Sequence, residues 1–225
     1  MLRTAFATQG FVLLPGVLTA SECADLADQV ETPGRSRSGG TRSLLAQPWC
    51  MALARRLRSL PALSVVLDVQ SVAVQCTFFE KTTARNWLVP LHQDLSIPVA
   101  TQVAHPGLQG WSEKEGEFFV QPPVQVLEQL VAVRLHLDAC QADDGALRVV
   151  PGSHNAGVLS PDSARSWRDQ AGEVACSTAA GTALVMRPLL LHASSKATGS
   201  SRRRVLHFVF GPRELPHGLG WHQMA

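Results

Sequence analysis

Hydrophobic and polar positions follow two regimes along this chain. Up to about residue 60 the apolar residues recur with helical spacing. Cys23, Leu26, Ala27 and Val30 stand at i, i+3, i+4 and i+7, one buried face of a helix. The run Thr19-Ala-Ser-Glu22 before them has the form of a capping box, in which hydroxyl and carboxylate each bond the other residue's backbone N–H. A second helix is predicted from about Pro48, a residue tolerated in a first turn, to Arg58. From about Ser71 the period shortens towards two. SVAVQCTFF (71–79), LVAVRLHLD (130–138), ALRVV (146–150), TALVM (182–186) and RVLHFVF (204–210) all read as strands. GFVLLPGVL (10–18) reads as a further short strand closed by a Pro-Gly turn.

Two helices followed by many short strands predict a mainly β domain, a sandwich or barrel with helical buttressing. The expected organisation is one domain over 1–225: a helical buttress over 1–60 and a β core over 71–212. Two stretches interrupt it. Residues 32–43 are rich in Gly, Ser and Arg and read as an exposed loop. Residues 96–123 form a Gly/Pro-rich connection too long for an ordinary turn, and such connections are commonly lids or binding loops.

Charge and cysteine content narrow the class. A net charge of +2 in 225 residues, without a long basic stripe, argues against nucleic-acid binding. Five widely spaced cysteines with no CxxC pair argue against a disulfide framework and a zinc knuckle, and fit a reducing compartment. The early apolar stretch is short and broken by Pro15-Gly16, so neither a signal peptide nor a membrane span is expected. The chain therefore reads as a soluble, cytoplasmic protein.

The candidate chemistry is a metal face. Non-haem Fe(II) oxygenases hold iron with two histidines and one carboxylate and leave the other positions open. PLHQDLSIP supplies His92 and Asp94, and RPLLLHASS supplies His192. A His-x-acid pair is common by chance, and RLHLD offers a second, His136 and Asp138. Alternation places Arg134, His136 and Asp138 on one strand face, where a permanent cation would oppose a divalent ion. His92 lies between Pro90 and Pro98, at a strand margin where a ligand pair can turn inward. The local context thus favours His92 and Asp94, leaving His136 as a cavity-lining histidine.

Four stretches, GFVLLPGVLTASE, VPLHQD, DDGALRVVPGSH and HASSKATGSSRRRVLHFVF, resemble the phytanoyl-CoA dioxygenase family of Fe(II)/2-oxoglutarate oxygenases, in family order and over nearly the whole chain. The resemblance implies a double-stranded β-helix, a jelly roll of cupin-like shape. It implies Fe(II) on His92, Asp94 and His192, with 2-oxoglutarate and O2 as co-substrates. The family's arginine, eleven residues after the distal histidine, falls on Arg203, with Arg202 and Arg204 one residue to either side. The family's H-x-S serine falls on Ser194. Gln75, Lys81 and Asn86 are further candidates for contact with the co-substrate, and PGSH reads as a turn that keeps His154 away from the metal. Related halogenases replace the carboxylate by a small residue, so Asp94 points to hydroxylation, desaturation or ring formation instead. Arg134, His136 and Trp111 are the candidates for substrate contact. A cupin-like metalloenzyme without 2-oxoglutarate, or a non-catalytic jelly roll, are the alternatives. The first would leave Ser194 and Arg203 without a purpose, and the second predicts a broken triad.

Overall fold

The computed structural model describes residues 1–31, 40–199 and 202–225. Most of the loop expected over 32–43 therefore lies outside the described residues. Its end contributes a two-residue strand, followed by a single 3-10 turn at Leu44–Ala46.

Three helices cover one side of the molecule: α1 (Leu2–Gln9), α2 (Ala20–Val30) and α3 (Pro48–Ser59). The capping box at α2 forms as expected, the Thr19 N–H donating to Glu22 Oε2 at 2.7 Å and the Glu22 N–H to Thr19 Oγ1 at 3.2 Å. Helix α1 was not expected. Only its Phe6 is buried, and it carries neither a side-chain cap nor an acidic first turn, so its sequence lacks the usual marks of a helix start.

The strands are β1 (Phe11–Leu14), β2 (Gly40–Thr41), β3 (Val72–Lys81), β4 (Val89–His92), β5 (Ile97–Val99), β6 (Gln109–Lys114), β7 (Glu117–Gln121), β8 (Val131–His136), β9 (Leu147–Val149), β10 (Val174–Ala175), β11 (Ala183–Met186), β12 (His192–Ser194) and β13 (Arg203–Gly211). They form a major sheet in the order β1-β11-β8-β13-β3-β2 and a minor sheet in the order β10-β9-β12-β4. Among the described residues every strand pairing in both is antiparallel. The predicted jelly roll is thus the observed fold.

Alternation divides the major sheet into two chemistries. Val131, Val133 and Leu135 of β8, with Leu206, Phe208 and Phe210 of β13, face the helices and form the main core. Arg134, Arg203 and His207 point the other way, into the gap between the sheets. Strand β3 departs from strict alternation. Its register against β13 slips between Val209 and Phe210, so Val74 and Gln75 both reach the inner side.

The connection over 96–123 is a correction to the sequence expectation. It folds as a third antiparallel sheet, β5-β7-β6, packed by a second apolar cluster that includes Ile97, Val99 and Val120. Glu115 and Gly116, both at positive φ (55° and 82°), make the tight turn between β6 and β7. Among the described residues no helix is long and apolar enough to cross a membrane.

Candidate metal centre and its cavity

Strands β4 and β12 pair so that His92 and His192 stand opposite each other. Each ring is fixed in the same way, its Nδ1 hydrogen bonded at 2.8 Å to the carbonyl two residues earlier, of Pro90 and Leu190 respectively. That bond places the proton on Nδ1 and leaves the Nε2 lone pair free. Asp94 follows one step beyond β4, its N–H donating to Pro188 O at 2.9 Å. Its Oδ1 is 3.5 Å from His92 Nε2 and its Oδ2 is 3.6 Å from His192 Nε2. One ligand atom from each residue lies within 4.8 Å of the other two. Between the ligands, Gln93 turns the opposite way and clamps the backbone. Its Nε2 donates to Gly157 O at 2.8 Å and Leu189 O at 2.6 Å, and its Oε1 accepts from the Leu159 N–H at 2.8 Å.

The electrostatics suit a cation. Burial opposes charge on either imidazole and pushes His192 down to about 4. At His92 the same burial is outweighed by hydrogen bonding and attraction from Asp94, so its pKa rises. Burial opposes charge on Asp94 as well, but His192 and His92 hold its carboxyl well below the usual carboxylate range. Two lone pairs and one carboxylate converging on one point fit Fe(II), with the remaining directions open to the cavity.

The rival pair separates. Strand β8 ends at His136, and Asp138 turns back to bind Arg204, Oδ1 to Nη2 at 2.7 Å. His136 is buried at 2% exposure with neither ring nitrogen bonded, and burial with Arg134 and Arg203 nearby keeps it neutral, its pKa lowered to about 3.

Beside the triad lies a cavity of about 380 Å³, in the size range of small-ligand sites. Arg203 and Arg134 line it and are 4% and 7% exposed. Lys81, 1% exposed, stands across from Arg203 on β3. Among the described residues none of these three cations has a carboxylate within ion-pairing distance. Their polar contacts are neutral instead. Arg203 Nη1 donates to the Gly145 carbonyl, and Lys81 Nζ donates to Ser194 Oγ at 2.8 Å and Ser195 O at 2.6 Å. The Ser194 hydroxyl donates in turn to Gly145 O at 2.8 Å. Burial, then repulsion from Arg203, lowers Lys81 to about 8. The neighbours of Arg203 behave differently. Arg202 binds Glu80 and Glu31, and Arg204 binds Asp138 and Glu31. Alternation on β13 therefore turns one arginine of the three inward.

Gly145 is the hinge of this cluster. Its φ is +69°, and a Cβ there would sit 2.5 Å from the Ser195 carbonyl oxygen. Gly145→Ala must therefore shift the carbonyl that holds both Arg203 and Ser194. A loss of roughly tenfold in affinity for an anion bound by Arg203 is expected, on the scale of about 1.4 kcal/mol, measured by equilibrium titration against the parent protein.

The other predicted residues divide. Gln75 lines the cavity and donates from Nε2 to Thr77 Oγ1 at 3.0 Å. Asn86 instead ties the segment after β12, exchanging two bonds with Ala197. Trp111, on β6, packs against the second apolar cluster and does not reach the cavity wall. His154 bonds Ala7 O at 3.1 Å, away from the metal face. Sequence reasoning missed His207, Phe79, Trp87 and Lys114, all of which line the cavity. His207 was within reach, since it lies four residues after Arg203 on the same strand face.

The model of the phytanoyl-CoA dioxygenase (PhyH) family matches residues 6–205. The chain belongs to the phytanoyl-CoA dioxygenase family. With the family's triad intact, it is an Fe(II)- and 2-oxoglutarate-dependent oxygenase, and the cupin-like and non-catalytic alternatives give way. None of the curated proteins matches it in sequence. Its fold is similar to that of EctD from S. alaskensis, with a TM-score of 0.70 at 18% identity over 97% of this chain and 80% of that one. It is similar to HygX from Streptomyces hygroscopicus, solved with nickel, 2-oxoglutarate and hygromycin B bound, with a TM-score of 0.64 at 21% identity over 97% and 95%. A third likeness is to SnoN, a non-heme alpha ketoglutarate dependent epimerase from nogalamycin biosynthesis, with a TM-score of 0.70 at 16% identity over 96% and 85%. At these identities the likeness shows the fold alone.

Proposed function

We propose that the chain hydroxylates an aliphatic carbon–hydrogen bond of a small metabolite, with Fe(II) on His92, Asp94 and His192 and the far carboxylate of 2-oxoglutarate on Arg203. The observation that carries this reading is the group of buried cations without counter-ions beside a two-histidine, one-carboxylate face. A buried, unpaired charge costs several kcal/mol, so the site is built for an anion that arrives with the reaction. Arg203 offers a planar fork to a carboxylate, and the Gly145 carbonyl holds that fork in place. Lys81 adds charge across the strand pair, the Ser194 hydroxyl turns from the Gly145 carbonyl to the same carboxylate on binding, and Gln75 presents an amide on the neighbouring strand. Bound iron supplies the redox chemistry, in which one atom of O2 enters succinate as CO2 leaves and the other enters the substrate.

The 1–225 unit works as one domain in this reading, in the reducing cytoplasm that five free, buried cysteines suit. Residues 96–123 serve as a cavity wall, with Lys114 and Phe119 facing inward and Trp111 bracing the sheet from behind. Solved relatives carry 5-hydroxyectoine and hygromycin B, which favours a small polar substrate over a macromolecule here.

The test is anaerobic titration with Fe(II) and 2-oxoglutarate, following the weak visible band of the chelate. A band saturating at one iron per chain is expected, and iron binding without any band overturns the reading. The same titration carries a pH prediction. As pH rises through about 8, Lys81 loses its proton in the free protein and the anion site weakens. The apparent Kd for 2-oxoglutarate is expected to be roughly 3–10-fold higher at pH 9 than at pH 7, about 1 kcal/mol. In Lys81→Met that dependence flattens.

A further inference from the structure

The cavity has more cationic capacity than 2-oxoglutarate uses. Given the reading above, Arg203 with Lys81 receives the far carboxylate, and the near one belongs to the metal. Arg134 then remains, on β8, two strands away from Lys81 in the major sheet. It lines the cavity, and its Nε is buried with no hydrogen-bond partner. Its Nη1 lies 2.9 Å from His207 Nδ1. A guanidinium has only donors, so His207 Nδ1 must accept and the ring's proton sits on Nε2. Arg134 thereby fixes the tautomer of His207, and the two side chains present donors alone. Phe79 braces both, its ring 5.6 Å from the guanidinium and edge-on to the imidazole at 5.9 Å.

The rest of the lining agrees in sign. Lys114, on the wall formed by β6, carries an ammonium over the Phe119 ring at 4.6 Å, with no carboxylate in ion-pairing distance among the described residues. Among the described residues Asp94 is the one acidic residue of the lining, and it belongs to the metal face. Along β13, His207 lies four residues from Arg203, roughly 13 Å at strand spacing. That is too far for one carboxylate to bridge the two positions on the strand.

We infer that Arg134 and His207 form a second anion receptor in this cavity, and that the substrate is a small molecule bearing a carboxylate. A carboxylate matches the pair because it offers acceptors only, to the N–H groups of the Arg134 fork that the bond to His207 leaves free. His207 Nε2–H, on the far side of its ring, offers a donor to a further acceptor of the same ligand. The remaining volume, shared with a five-carbon co-substrate, limits the group to a compact one.

The test uses the full chain loaded with Ni(II), which does not turn over, and saturating 2-oxoglutarate. Acetate, hexanoate and benzoate are titrated against their carboxamides, read by calorimetry and by the fluorescence of Trp87, which lines the cavity. At least one carboxylate is expected to saturate at one site per chain, with its amide at least tenfold weaker. Arg134→Gln is expected to weaken that carboxylate at least tenfold while 2-oxoglutarate still binds, and Arg134→Lys to restore part of the loss. His207→Leu, which removes one donor and leaves Arg134, gives a second variant should Arg134→Gln fail to fold. The receptor is overturned if no carboxylate binds the loaded protein, if acid and amide bind alike, or if Arg134→Gln loses 2-oxoglutarate instead. The two readings fail separately. Absent 2-oxoglutarate binding counts against the co-substrate assignment, whereas absent carboxylate binding to the loaded protein counts against the receptor.

Discussion

Replacing His192 by alanine is expected to abolish stoichiometric Fe(II) uptake and to slow turnover by at least about 10³-fold, while the protein stays folded. The ring is 3% exposed and its Nδ1 is already committed to Leu190 O, so Nε2 is the atom available to a metal. No neighbouring side chain can replace it, since among the described residues only His92, Asp94 and His192 cluster closely enough to share an ion. Loss of residues that merely orient metal ligands typically costs 10–100-fold in affinity or activity, and loss of a ligand itself costs more. The fold survives because the strand pairing of residue 192 with β4 and β9 uses backbone groups that alanine retains. Metal analysis and circular dichroism check both halves. His136→Ala serves as the contrast and should keep its iron. The opposite pattern, iron lost with His136 and kept without His92, would move the centre to the other His-x-Asp pair.

Arg203→Ala is expected to raise the 2-oxoglutarate concentration needed for half-maximal rate by roughly two orders of magnitude, with kcat at saturation changed far less. Hydrogen bonds to charged groups contribute about 1.5–3 kcal/mol each, and about 3 kcal/mol corresponds to two decades in Kd. Arg203→Lys should recover little, because an ammonium cannot pair as a planar fork. Arg202→Ala and Arg204→Ala should leave the requirement within about twofold, since those side chains are spent on Glu31, Glu80 and Asp138. Steady-state kinetics across the four variants separates the three arginines. A rise confined to Arg202→Ala or Arg204→Ala would show that the strand register assigned to the co-substrate is wrong.

How far the site could be read from the sequence follows from what each position depends on. The helix α2 and its cap rest on contacts within four residues, and they formed as expected. The triad was readable because Pro90 marked the strand margin for His92 and Asp94, and because the resemblance to the family placed His192 downstream in family order. The family's spacing after His192 pointed to Arg203, and alternation along β13 sets its side chain apart from that of Arg204. What failed depended on tertiary context. Gln-Gly-Trp-Ser-Glu-Lys at β6 contains no β-branched residue and is a strand because β7 pairs with it. Asp138 was assigned the face of His136 by extending alternation past the last residue of β8, where it no longer holds. The bulge that brings Val74 to the inner side, beside the regularly alternating Gln75, Thr77 and Phe79, is set by the pairing with β13, and nothing local to residues 71–79 announces it. Trp111 looked available for a lid because it stood in a long connection, whereas its ring is half-buried against the second apolar cluster.

The division of labour between the sheets has a mechanical side. His92 and His192 belong to the minor sheet, whereas Arg203 and Lys81 belong to the major sheet. In the proposed reading, a dicarboxylate held by the metal at one end and by Arg203 at the other is a strut across the sandwich, joining its two layers. Ligand that binds only the closed, folded arrangement stabilises it in proportion to the logarithm of its concentration. The protein's resistance to unfolding thus becomes a gauge of co-substrate supply, with its two layers held most firmly together when the fuel for oxidation is at hand.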